Sequence, residues 1–84
     1  MRNEHKRRKN EKKFGNWIEL ANGDRRYYYD VLGRHGWRAR YVKEVDASER
    51  TTRFYQQIFE KDQLVEIHAK YPIDKGHKKV QGGK

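Results

Sequence analysis

The chain has no cysteine and one proline. The first absence excludes a disulfide framework and any zinc site built on thiolates. No stretch approaches the roughly 20 apolar residues needed to cross a bilayer. The charged N-terminus has no apolar run behind it, as a signal peptide requires. A soluble, cytoplasmic protein with no membrane partner is therefore expected. Apolar residues are also scarce, at 33% against 39% charged. In 84 residues that leaves one small domain with a thin core, because a chain of this size buries only about 60% of its unfolded surface. No glycine-rich loop precedes a helix to cradle phosphate; Gly33 and Gly36 flank a turn between strands. Asp74, His68 and His77 match no zinc spacing, and no paired carboxylates suggest magnesium. No metal and no cofactor are expected.

What the chain does have is positive charge threaded with aromatic rings. Twenty-one Lys and Arg stand against twelve Asp and Glu, a net charge of +9, and aromatics make up 13%. The two types adjoin in Arg25-Arg26-Tyr27-Tyr28-Tyr29, Trp37-Arg38-Ala39-Arg40-Tyr41 and Arg53-Phe54-Tyr55. Cations gain from phosphate by counterion release, and flat rings offer platforms to unpaired bases. RNA is the partner this composition suggests.

Residues 1–13 are almost wholly polar and read as a disordered or weakly helical basic arm. Residues 14–80 read as one small sheet domain, and 81–84 as a loose tail. Asn22-Gly23 is a strong hairpin signal, since both residues tolerate the positive φ of a type I′ turn. It separates a strand at 17–21 from one at 24–32. Residues 33–36 turn the chain into 37–46, where Trp37, Ala39, Tyr41 and Val45 alternate with Arg38, Arg40, Glu44 and Asp46. Further strands are expected at 51–59 and 64–71, the last ended by Pro72. The fold class is mainly β or α+β, an antiparallel meander of four to five strands. Asp46-Ala47-Ser48-Glu49 has capping-box spacing, so a helix over 47–61 is the alternative. Thr51, Thr52 and the aromatics favour strand there.

Closing each hairpin on its shortest loop places Glu44 opposite Arg53, Val42 opposite Tyr55 and Arg40 opposite Gln57. The next pair matches Tyr55 with His68, Gln57 with Glu66 and Arg53 with Lys70. On the earlier side Tyr29 meets Arg40 and Val31 meets Arg38. The outward face then collects Arg38, Arg40, Arg53, Tyr55, Gln57, Glu66, His68 and Lys70. Lys43 and Gln56 fall on the apolar face. Metal-independent RNA cleavage needs a base for the 2′-hydroxyl, an acid for the leaving 5′-oxygen and cations on the phosphorane. His68 and Glu66 are candidates for the proton transfers, with Tyr55 as a stacking or proton-donating group. His77, in a basic loop after the last strand, is a second proton-transfer candidate. Arg38, Arg40, Arg53, Lys70, Tyr29, Lys78 and Lys79 are candidate nucleic-acid contacts. The same residues also suit simple RNA binding, or docking of an acidic protein without catalysis.

The second half of the chain carries a likeness as well. Arg53-Phe54, the strand Leu64-Val65-Glu66-Ile67-His68-Ala69-Lys70-Tyr71 and the segment Asp74-Lys75-Gly76-His77-Lys78 resemble TumE-type toxins of bacterial toxin–antitoxin pairs. The likeness covers residues 37–79. It departs from that pattern at Pro72, where an Asp is usual, and in the absence of a helix after the final segment. The resemblance implies a growth-inhibiting protein paired with an antitoxin. It carries Arg53, Tyr71, Asp74 and His77 as candidate site residues.

Overall fold

A computed structural model describes residues 3–73 and 76–79. A helix, α1 (Glu4–Phe14), leads into six strands: β1 (Asn16–Glu19), β2 (Arg25–Leu32), β3 (Trp37–Val45), β4 (Thr51–Glu60), β5 (Gln63–Tyr71) and β6 (Gly76–Lys79). They form one antiparallel meander in chain order. No described helix is long and apolar enough to cross a membrane.

Each hairpin closes where the local chemistry permits positive φ. Asn22 and Gly23 both adopt it, and the Asp24 amide donates to the Ala21 carbonyl. Lys61 and Asp62 adopt it between β4 and β5, a two-residue turn whose twist suits paired strands. Between β3 and β4, Asp46 caps a turn rather than a helix. Its carboxylate accepts from the Ser48 and Arg50 amides at 2.9 and 3.0 Å. Those bonds and the Arg50 side chain hold the Asp46 carboxyl below its ordinary range. Residues 51–60 are accordingly strand, as the β-branched and aromatic residues indicate, and the helical alternative is not taken.

The N-terminal segment takes the helical form of the expected arm, and it is docked rather than loose. Asn3 caps it by accepting from the Lys6 amide, and Gly15 ends it in the left-handed conformation at φ 81. Both are standard helix boundaries. Phe14 inserts against Tyr27 and Val45, and Tyr29 and Phe54 pack around them. A polar cluster extends this small core. Buried Glu49 accepts from the Tyr27 hydroxyl at 2.8 Å and from the Asn10 amide at 3.1 Å. Lys43 donates to Asn10 at 3.1 Å, and Gln56 to the Tyr41 hydroxyl at 3.1 Å. The two polar residues expected on the apolar face are thus there, and both are paired. Burial and the bond to Glu49 push the Tyr27 phenol up to about 12.

The expected antiparallel meander is present, and Gly76–Lys79 adds a sixth strand by pairing with β5 where a basic loop was expected. Two registers are corrected. Val31 meets Ala39 and Tyr29 meets Tyr41, one residue from the expected register. The cause is the loop: Gly33 donates to the Trp37 carbonyl and Trp37 to the Arg34 carbonyl, so the loop spans three residues, not four. β5 is also displaced, with Tyr55 opposite Ala69, Gln56 opposite His68 and Ile58 opposite Glu66. Irregularities between Phe54 and Tyr55 and between Ile58 and Phe59 place extra residues, Lys70 and Val65, in β5. A one-residue slip moves each side chain to the opposite face. Asp74 and the 81–84 tail lie outside the described residues.

Candidate nucleic-acid interface

Cross-strand register sorts the side chains onto two faces. The first lies under α1 and carries Tyr27, Tyr29, Tyr41, Phe54 and Val45. Among the described residues no helix covers the second. There Tyr28, Val42, Tyr55 and Ala69 form one row, and Asp30, Arg40, Gln57 and Ile67 the next. Arg26, Glu44 and Arg53 lie to one side of these rows, and Leu32, Arg38, Phe59 and Leu64 to the other.

Four arginines on this open face are held in fixed positions. The Arg38 guanidinium sits 4.4 Å from the Phe59 ring centroid, Arg40 4.8 Å from Tyr28, and Arg53 4.6 Å from Tyr55. Two carboxylates tie the guanidinium edges. Arg40 makes a bidentate pair with Asp30, at 2.7 and 3.1 Å, and Arg38 donates to the same group at 3.2 Å. Glu44 accepts from Arg26 at 2.8 Å and lies 3.6 Å from Arg53. These contacts lower the Asp30 carboxyl below its ordinary range, with Arg40 the main cause. Burial, then the charge of Glu44, pushes the Tyr55 phenol up. Val42, between Tyr28 and Tyr55 in its row, is 2% exposed, so the centre of this face is closed while Arg53 is largely exposed.

The energetics favour exchange of partners. Exposed ion pairs contribute about 0–1 kcal/mol, so a phosphate can replace Asp30 at its two arginines at little cost. A guanidinium over a ring can also offer its other π-face to a ligand.

The sequence-derived candidates divide between the faces. Arg38, Arg40, Arg53, Tyr55 and Gln57 are together on the open face, and Lys78, opposite Ile67, shares it. Tyr29 is on the helix face, where it stacks on Tyr41 at 5.1 Å and contacts Phe14. Lys70 is there too, with its ammonium 5.4 Å from the Tyr41 ring and 5.8 Å from Phe54. Glu66, His68, His77 and Lys79 lie on that same side at the β5–β6 end. His68 Nδ1 is 3.0 Å from His77 Nε2, and His77 Nδ1 is 3.2 Å from a Glu66 oxygen. The expected grouping of His68 and Glu66 with Tyr55 and the arginines is therefore not assembled. A separate Glu66–His77–His68 chain is assembled instead. Among the described residues no group of three or more His, Asp or Glu is arranged to hold a metal ion. Tyr71, suggested by the toxin likeness, pairs with Phe54 at the end of β5.

Sequence reasoning missed Tyr28, Phe59, Arg26 and Asp30, and it paired Glu44 with Arg53 without giving Glu44 a part in the site. Alternation in β2 was the available signal, since Arg26, Tyr28 and Asp30 share a parity; the one-residue register error obscured it. No protein-family model, curated protein or solved structure matches the chain.

Proposed function

We propose that this protein binds single-stranded RNA on the open face of its sheet. The observation that supports this reading is the set of three arginines seated on Phe59, Tyr28 and Tyr55. In that arrangement guanidinium planes and rings stack on unpaired bases while the N–H edges take backbone phosphates. A duplex hides its bases in the stack, so an unpaired strand gains most from such a surface. RNA is the form the basic, aromatic-rich composition suggested. Fluorescence anisotropy with labelled single-stranded RNA tests the reading. Wild type binds with affinity that falls steeply with salt, and R38A/R40A/R53A loses most of it while keeping its fold. Equal binding by the triple variant overturns the proposal.

A second reading adds cleavage. Glu66 orients His77, and His77 meets His68, which provides two imidazoles for the proton transfers of 2′-hydroxyl attack. Lys79, opposite Glu66, and Lys70, in β5, are cations in the same two strands. This reading agrees with the toxin-like resemblance and its acidic antitoxin partner. It is tested by incubating wild type, H68A and H77A with labelled RNA in EDTA and resolving the products on a denaturing gel. Cleavage by wild type alone supports it. An intact substrate in every lane leaves a binding protein.

A further inference from the structure

A groove of about 1380 Å³ runs between α1 and the neighbouring ends of β3, β4 and β5. Lys6, Lys9 and Lys13 line one wall at helical spacing, Lys43 the opposite one, and Phe54 is among the residues between them. This groove differs in chemistry from the open sheet face. There every arginine has a carboxylate partner. In the groove the ammonium groups of Lys6, Lys9 and Lys13 make no ion pair among the described residues. The nearby carboxylates are engaged elsewhere: Glu49 by Asn10 and Tyr27, Asp46 by Arg50 and two backbone amides. Burial, then the charge of Lys13 and to a lesser degree Lys6, lowers the Lys43 ammonium below its ordinary range against the opposing charge of Glu49. Uncompensated cations in a concave site focus positive potential, and a bound polyanion relieves their mutual repulsion.

The two basic surfaces are on opposite sides of one sheet. Phe54, at the groove, and Tyr55, on the open face, are consecutive residues of β4 whose side chains point in opposite directions. A short strand lying on one side therefore leaves the other vacant.

We infer that the groove is a second nucleic-acid site, a lysine-lined seat for backbone phosphates, and that one chain holds two strands at once, one on each side of the sheet. This rests on the RNA-binding reading for the open face and gives it a consequence: the protein bridges strands. The groove offers point charges with few stacking surfaces, so its binding depends on salt more than on base identity. The open face adds stacking on unpaired bases to its salt dependence.

The experiment uses the full chain and two short, non-complementary oligoribonucleotides, one carrying a donor dye and the other an acceptor. Wild type brings the dyes together, and sedimentation shows one chain with two oligonucleotides. K6Q/K13Q leaves one oligonucleotide bound and abolishes energy transfer. With two cations gone, the salt slope of the groove site falls by roughly 1.4, at about 0.7 per single-strand phosphate contact. R34Q/K61Q removes the same charge from the far turns and retains transfer. Circular dichroism checks that the variants fold. A wild type that binds one oligonucleotide, with K6Q/K13Q unchanged, overturns the bridging inference and leaves the open-face reading intact. Loss of all binding in K6Q/K13Q, with R38A/R40A/R53A unaffected, overturns both. A complex of two chains, each carrying one oligonucleotide, also overturns it, since transfer then comes from dimerisation.

Discussion

The guanidinium of Arg38 lies 4.4 Å from the centroid of Phe59, and Arg40 reaches the same ring from 6.0 Å. One phenyl ring therefore supports two cations from the neighbouring strand, and Asp30 clamps both from the other side. The arrangement separates two contributions to binding that are usually confounded, planarity and charge.

Replacing Arg40 with Lys keeps the charge and removes the plane. R40K is expected to weaken single-stranded RNA binding by about 1 kcal/mol, at the low end of what base stacking contributes, with an unchanged salt slope. R40Q should lower both. Anisotropy titrations at several salt concentrations distinguish the two variants, and identical behaviour would mean that only charge matters.

On the proposed RNA-binding reading, Asp30 competes with phosphate for Arg38 and Arg40. D30N should therefore bind RNA several-fold more tightly than wild type, since one opposing charge is removed. It should also be less stable at neutral pH. The Asp30 carboxyl is depressed in the folded state, so its stabilisation is present above the ordinary Asp range and fades as pH falls through the lower, folded value. Acid unfolding followed by circular dichroism should show a shallower limb for D30N.

Tyr27 behaves oppositely. Its phenol is raised to about 12, so its contribution is complete below the ordinary value near 10 and is lost as pH rises toward 12. Wild type should lose stability across that window. Y27F should show a flatter alkaline limb while costing about 1–3 kcal/mol at neutral pH, because buried Glu49 loses a donor.

Phe14 is the apolar anchor of α1. F14A should destabilise the fold by about 3 kcal/mol, read as a lower urea midpoint. It should also loosen the helix, with increased proteolysis within residues 4–14.

Much of this architecture is written in local pattern. The alternation from Trp37 to Val45 separates the faces of β3, and the pairings Glu44–Arg53, Val42–Tyr55 and Arg40–Gln57 follow from simple counting. What counting misses is the irregularity in β5. The extra residues there are Val65 and Lys70, not the glycines that often mark bulges, and each shifts the register by one. That shift carries His68 and Glu66 away from the arginines and places Ile67 among them. The helix is obscured for another reason. Within Glu4–Phe14 the one apolar residue is Phe14, and the rest of the docking is polar, through Asn10 to Glu49 and Lys43, Glu11 to Arg25 and Arg7 to Glu19. Such contacts leave no hydrophobic period to detect. β6 is four residues of largely polar sequence, and it becomes a strand through its pairing with β5.

The most direct test of the central claim is NMR of the aromatic side chains during titration with a short single-stranded oligoribonucleotide. Stacking on the open face predicts progressive ring-current shifts for Tyr28, Tyr55 and Phe59, with broadening at the Arg38, Arg40 and Arg53 guanidinium protons. Saturable binding that leaves those three rings unmoved would contradict the account.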